Sequence, residues 1–380
     1  MNHIVTQFGV NWIDGMKINR EHFISVQNFI SDSVRDAIAV RTNAINYGLL
    51  PIVENPIIMN TSMDHYGTLT IKVEECHAIT PNGNRIQISR MLSDEPIEFQ
   101  KEINTNGDEI LYYIFLAVLP YTVPYGEADP QEYPPRIPYL KSTYTIELFS
   151  VDELKKEEDG LGGNYLMLGR INIGNGKVEL DKNYIPPCSS ILCDSRLEEM
   201  YQYIYNFYTD MEKYAIQISQ KIHIKKQHNS LSDIIDRINE RILLFLGSEI
   251  NHFSLLSPYV PPCEMIASIA GFARVIRNFV DAHSGAGKEE LLNYFSEWCS
   301  VTQGEFEKVF STLISNNYNH NHIYRNIEQI NTFIKMIEGL YNNLSHLDYI
   351  GKKPDGGIFV AETTNENRDI IRRTRSLLVD

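Results

Sequence analysis

Cysteine is scarce in this chain of 380 residues: the five thiols, at positions 76, 188, 193, 263 and 299, form neither CxxC pairs nor an even framework. That excludes a disulfide scaffold and a zinc set, and it reads as reduced thiols in a cytoplasmic protein. Positive charge is also short, with 34 Lys plus Arg against 49 Asp plus Glu and a formal net charge of −15. A polyphosphate or an anionic membrane surface is repelled on average, so no nucleic-acid partner is expected. No run of about eighteen apolar residues occurs, which argues against direct membrane insertion. The longest uncharged stretch, residues 110–126, is interrupted by Pro120 and Pro124 and reads as a buried strand followed by a loop. A secretory signal needs a basic start and an apolar run, and the first residues supply polar groups and Asp14 instead.

Catalytic motifs are missing too. Gly285-Ala286-Gly287-Lys288 has the end of a phosphate-binding loop, but Ala282 and Glu289 stand where a glycine and a hydroxyl residue are needed. His320 and His322 have no nearby Cys or Glu to complete a metal site. His22 lies near Asp14 and Glu21 without a nucleophile, and it reads as a hydrogen-bonded structural histidine. Cys188 follows two prolines with no cationic neighbour to activate it. The expectation is a protein that is not an enzyme, with no cofactor, metal or catalytic residue.

What the chain does have is apolar pattern: 43% hydrophobic residues, with 22 Tyr and 16 Phe. Leu197, Tyr201, Ile204, Tyr208, Met211, Ala215, Ile218 and Ile222 alternate gaps of four and three, the spacing of a coiled-coil seam. Ser195 and Glu198 read as a capping box at its start. Such a row fits a threefold seam between copies or packing inside one chain, because heptads do not say whose helix they meet. Further helical rows run through Leu231, Ile235, Ile238, Ile242 and Phe245, closed by Gly247. Met265 to Val280 forms another, and Ile323, Ile327, Ile330, Ile334, Ile337, Tyr341 and Leu344 a last one.

The first half reads differently. After a tight turn at Asp14-Gly15, residues 20–46 place Phe23, Val26, Ile30, Val34, Ala37 and Ile38 near a 3.6 period, with Arg35, Asp36 and Arg41 opposite. Residues 56–181 alternate β-prone runs with turn signals, among them Asn82-Gly83, Asn106-Gly107 and Gly174-Asn175-Gly176. The segment 120–138 carries six prolines and several tyrosines, an extended, donor-poor loop of the kind that touches a partner. The expected fold class is α+β multidomain: an N-terminal β-sandwich, then a C-terminal α-helical bundle forming a stalk. The expected divisions are a β-rich shell domain at 1–187, a helical neck at 188–348 and a short tail at 349–380, whose basic run Arg372-Arg373-Thr374-Arg375 is offset by nearby acids.

Trp12, Gly15, Met16 and His22-Phe23 resemble the N-terminal signature of the TssK family, the trimeric adaptors of type VI secretion baseplates. Tyr47-Gly48-Leu49, Ile185-Pro186-Pro187, and Arg241 to Phe245 followed by Pro261-Pro262 are similar to later stations of that family, in the same order. The resemblance implies a shell domain like the shoulder of a phage-tail protein, docking on the TssF and TssG wedge, and a homotrimeric neck. It implies a wedge interface at Trp12, Met16, His22, Phe23, Tyr121, Tyr125 and Tyr133, and a trimer seam along the 197–222 row. It also implies recruitment to the cytoplasmic side of the inner membrane. The chain stops about where the family's head domain begins, so any envelope-anchor partner is of unknown identity. The competing reading is a receptor-binding or tail-fibre protein of a phage-like particle.

Overall fold

The computed structural model describes residues 6–351, apart from 93–94, 104–108, 129, 132, 157–160, 175, 284, 300 and 316, and leaves out the side chains of 120, 121 and 286. The basic run at 372–375 therefore lies outside the described residues. The chain divides into two compact units. The first comprises residues 1–201, 256–265 and 317–327, and the second 202–255, 266–316 and 328–380.

In the first unit, helix α1 (Arg20–Ala39) precedes two antiparallel sheets. One is built around β3 (Thr68–Ile79), which pairs with β1 (Gly48–Leu49), β2 (Ile57–Met63), β4 (Arg85–Ile88) and β5 (Ile97–Glu102). The other has the order β7 (Tyr139–Ser150), β6 (Ile110–Tyr125), β8 (Tyr165–Gly174), β9 (Lys177–Leu180). Period-two alternation buries Leu69, Ile71 and Val73 of β3 completely. Strand β6 is buried on both faces: Ile114 and Leu116 on one, and Tyr113 and Phe115 on the other, clustered with Met167 and Tyr184 beside α2 (Val151–Lys156). Contrary to the sequence expectation, β6 does not end before Pro120. It continues to Tyr125, because the register breaks between Val118 and Thr122 and Pro120 falls inside that break. A residue with no N–H is tolerated there.

The segment 317–327 returns to this unit and is held by a buried histidine. His320 Nε2 donates to the Tyr47 carbonyl at 2.8 Å, and its Nδ1 meets the Tyr318 hydroxyl at 2.5 Å. Arg170, paired with Asp181, stacks on the Tyr324 ring at 4.4 Å from its centroid. These contacts give His320 a structural role.

Helix α3 (Ser195–Ile224) starts in the first unit and supplies the second, along with α4 (Ser230–Leu256), α5 (Pro262–Ala282), α6 (Ala286–Cys299), α7 (Gln303–Ile314) and α8 (Ile323–His346). The cap of α3 is Asp194 rather than Ser195: its carboxylate accepts the Arg196 N–H at 3.0 Å and carries the charge that a helix N-terminus favours. Helix α4 runs through Gly247 to Leu256 instead of closing there, since Phe253 still finds a fully buried site one and a half turns on. In the second unit the rings of Phe207, Tyr208, Phe272 and Phe333 meet at 5.3–6.3 Å between centroids, mostly edge to face. The Tyr208 hydroxyl bonds Ser268 at 2.8 Å, and Ser268 donates to Glu249 at 2.6 Å.

This packing decides the fate of the 197–222 row. Leu197, Ile204, Tyr208, Met211, Ala215 and Ile218 are each 0% exposed, Ile222 is 3% exposed and Tyr201 is half-buried, all within a single chain. Their surface is already taken up by the chain's own side chains, so they do not line a seam on which copies meet. Of the two partners the heptads left open, the structure supplies the internal one.

Candidate interaction surface

The N-terminal segment is built as an arm folded back along α1. Gly15, with φ of +77°, makes the turn expected at Asp14-Gly15, and the Met16 N–H closes it on the Ile13 carbonyl at 3.2 Å. Asn19 caps α1, its Oδ1 accepting from the N–H groups of Glu21 and His22, while His22 Nδ1 accepts the Asn19 N–H at 3.1 Å. His22 therefore fills the reciprocal place of a capping box. The arm lies with the Trp12 ring 5.9 Å from His22, Gly9 against the Phe29 ring, and Thr6 and Gln7 donating their N–H groups to Asp32 at 2.9 and 3.0 Å.

Asp32 is the pivot. It is the one residue of α1 that is fully buried, at 4% exposure, and it also pairs with Arg35. A helix that turns an aspartate inward presents the opposite side to solvent, and on α1 that side is the apolar one: Phe23, Ile30 and Val34 are 63%, 54% and 55% exposed. Sequence periodicity identified the row correctly, but its ordinary inference, that the apolar face packs inward, is reversed here. The C-terminal half of α1 rests on the Asn82-Gly83 turn. Gly83 has φ of +78°, and a Cβ there would lie 2.8 Å from the Arg35 carbonyl, so only glycine lets the helix approach.

A second exposed apolar element is the tip of the β6–β7 hairpin. Tyr125 pairs with Tyr139, Pro124 with Leu140 and Val123 with Lys141. The Lys141 ammonium sits 5.0 Å from the centroid of the Tyr125 ring, whose hydroxyl donates to the Leu92 carbonyl at 3.1 Å. Tyr133, Tyr139 and Leu140 stand in solvent, Tyr133 almost completely at 99%. A monomer seldom keeps this much apolar surface exposed unless something covers it.

Of the seven residues expected at a wedge interface, Trp12, Phe23, Tyr125 and Tyr133 are exposed, and Met16 and His22 are half-buried supports. The Tyr121 side chain lies outside the described residues. The structure joins Trp12, His22 and the arm into one element and puts Tyr125 and Tyr133 on another. Sequence reasoning missed Phe8, Ile13 and Ile18 of the arm and Tyr139 and Leu140 of the hairpin, all exposed. The only signal for them was their apolar character beside turn residues. Among the described residues no three His, Cys, Asp or Glu side chains gather as metal ligands, and no helix is long and apolar enough to cross a membrane.

No protein-family model and no curated protein matches the chain. Solved structures of TssK do resemble it. One crystal structure of TssK has 15% identity and a TM-score of 0.46 over 87% of this chain and 69% of that one. TssK from the type VI secretion system of EAEC, in complex with a nanobody, has 14% identity and a TM-score of 0.48 over 83% of this chain and 99% of that one. A TssK–TssF–TssG baseplate subcomplex has 13% identity and a TM-score of 0.43 over 87% and 99%.

Proposed function

We propose that this chain is a structural adaptor of a type VI secretion baseplate, docking on a TssF–TssG wedge through its N-terminal arm, the outward face of α1 and the tip of the β6–β7 hairpin. The observation that carries the reading is the reversed polarity of α1, with Asp32 buried and Phe23, Ile30 and Val34 in solvent. An isolated chain gains nothing from that arrangement, whereas one that buries the row against a partner recovers the hydrophobic free energy on assembly. The order of sequence stations shared with the TssK family supports the choice of partner. In the same reading the two sheets stack as a sandwich: the Gln87 N–H donates to the Tyr144 hydroxyl at 3.1 Å, and Met59 packs at Gly169.

The adaptor works as a homotrimer. Because the 197–222 row is spent inside each chain, copies meet on other surfaces, and α4 offers Leu244 and Leu255, 70% and 69% exposed and three turns apart on one face. The test is co-purification of the full chain with TssF and TssG, alongside light scattering of the chain alone. Recovery of both wedge proteins and a mass of about 131 kDa, three times 43.8 kDa, support the reading. Failure to recover either wedge protein rejects the docking, and a monomeric mass at high concentration rejects the trimer.

A further inference from the structure

The β6–β7 ladder outruns the rest of its sheet. Strand β8 follows β6 only as far as the pair Ala117–Tyr165, whereas β7 stays with β6 to the pair Tyr125–Tyr139. Residues Thr122 to Tyr125 and Tyr139 to Ser142 therefore form a two-stranded ribbon, and every described residue from Thr122 to Leu140 is exposed. Such a ribbon is marginal in water by itself, and each of its edges carries a row of backbone groups with no third strand to meet them.

The two edges are not equivalent. Pro124 has no N–H, so its pair with Leu140 cannot exchange both ladder bonds and is of the non-hydrogen-bonded kind. The bonds on either side of it then join Val123 to Lys141 and Tyr125 to Tyr139. It follows that the N–H and C=O of Leu140 point away from β6, and the two-residue repeat turns those of Ser142 the same way. Among the described strands β6 alone pairs with β7, and neither residue has another hydrogen-bond partner among the described residues. On the far edge it is Pro124 that faces outward, with no donor to offer, and proline there blocks pairing. Strand β7 contains no proline from Tyr139 to Ser150. An edge lysine can also deter pairing, but the Lys141 ammonium is drawn over the Tyr125 ring, 5.0 Å from its centroid. The chain thus closes one edge of the ribbon and leaves the other open, between Tyr139 and Leu140 side chains that are 66% and 55% exposed.

We infer that the open edge of β7 takes up an extended segment of the wedge partner as a third strand. This rests on the docking reading above, in which the same hairpin tip already belongs to the covered surface, and it adds how the tip is held. Main-chain bonds at Leu140 and Ser142 supply the attachment, and an apolar side chain of the incoming segment covers Leu140. The segment that fits is about four residues long or more, extended, and free of proline where it meets those two residues.

The experiment compares the full chain with its Leu140→Pro and Leu140→Thr variants for binding to immobilised TssF–TssG. Proline at 140 removes the outward N–H without touching a bond to β6, so its melting temperature should change little while binding weakens about a hundredfold. Threonine keeps the N–H and loses only the apolar contact, a cost of about tenfold or less. Hydrogen exchange read at single residues in the wild-type complex is the second measurement, and it decides the matter even if the proline variant unfolds. Slowed exchange at the Leu140 and Ser142 amides, which are open in the free chain, is expected. Equal binding by the proline and threonine variants, or Leu140 and Ser142 amides that exchange as fast in the complex as alone, overturns strand addition while leaving the docking reading in place. A wild-type chain that does not bind TssF–TssG overturns the docking reading and strand addition with it.

Discussion

Replacing Phe23, Ile30 and Val34 together by glutamine removes the outward row of α1 with little cost to the helix, because glutamine is a good helix former. Their exposures of 63%, 54% and 55% mean that over half of each side chain already faces water in the free chain. At about 2–2.5 kcal/mol for complete burial of each side chain, the part still to be buried on docking amounts to roughly 4 kcal/mol, about a thousandfold in affinity. The part already buried is smaller, so the loss of stability should be about 1–3 kcal/mol at most. Thermal unfolding and binding to immobilised TssF–TssG separate the two effects. A small fall in melting temperature with binding weakened by two to three orders of magnitude is expected. A large loss of stability with binding intact would show that the row packs against the chain itself, and the reasoning would fail.

Met211 is 0% exposed, so Met211→Lys buries an uncompensated charge and should cost about 3–5 kcal/mol, melting the helical unit. An unchanged melting temperature with a changed oligomer mass would instead restore the row as a seam between copies. Burial lowers His320 to about 4 and, together with the charges of Arg325 and Arg170, lowers His322 to about 4. Both are neutral in the folded chain, so the unfolded chain takes up protons first as pH falls below 6.5, and stability drops between about pH 6.5 and 4. For His320 alone the loss approaches about 3 kcal/mol, and His320→Gln should flatten that part of a stability-against-pH curve measured by urea unfolding; an unaltered slope would exclude the histidine as its cause. Gly48 has φ of +109°, and a Cβ there would run into the Pro187 carbonyl. Gly48→Ala should therefore cost several kcal/mol, on the order of 3 or more, by prising β1 from the backbone of residues 187–189, which bonds Leu49; a neutral effect on the urea midpoint would contradict that geometry.

Much of the fold was legible because local rules and tertiary packing agree. The Asn82-Gly83 hairpin, the antiparallel strands around it and the α5 row from Met265 to Val280 occupy the positions their residues imply. The failures share one physical cause: periodicity reports that a face is apolar, not what covers it. For 197–222 the cover is the chain's own helices, and for α1 it is nothing among the described residues, because a single buried aspartate with two backbone donors outweighs three apolar side chains in setting the helix's rotation. Gly247 and Pro120 misled for a different reason. Glycine and proline mark where a helix or strand tolerates an end, and a buried Phe253 beyond one and a register break around the other let the elements continue. The return of 317–327 to the β-rich unit rests on contacts such as His320 with Tyr47, 273 positions apart in the chain, which no local spacing encodes.

Hydrogen–deuterium exchange of the full chain, alone and bound to TssF–TssG, tests the docking surface most directly. Slowed exchange confined to the arm and α1, with a second protected stretch at the tip of the β6–β7 hairpin, is the expected result. Protection elsewhere, with α1 exchanging as fast in the complex as in the free chain, would contradict it.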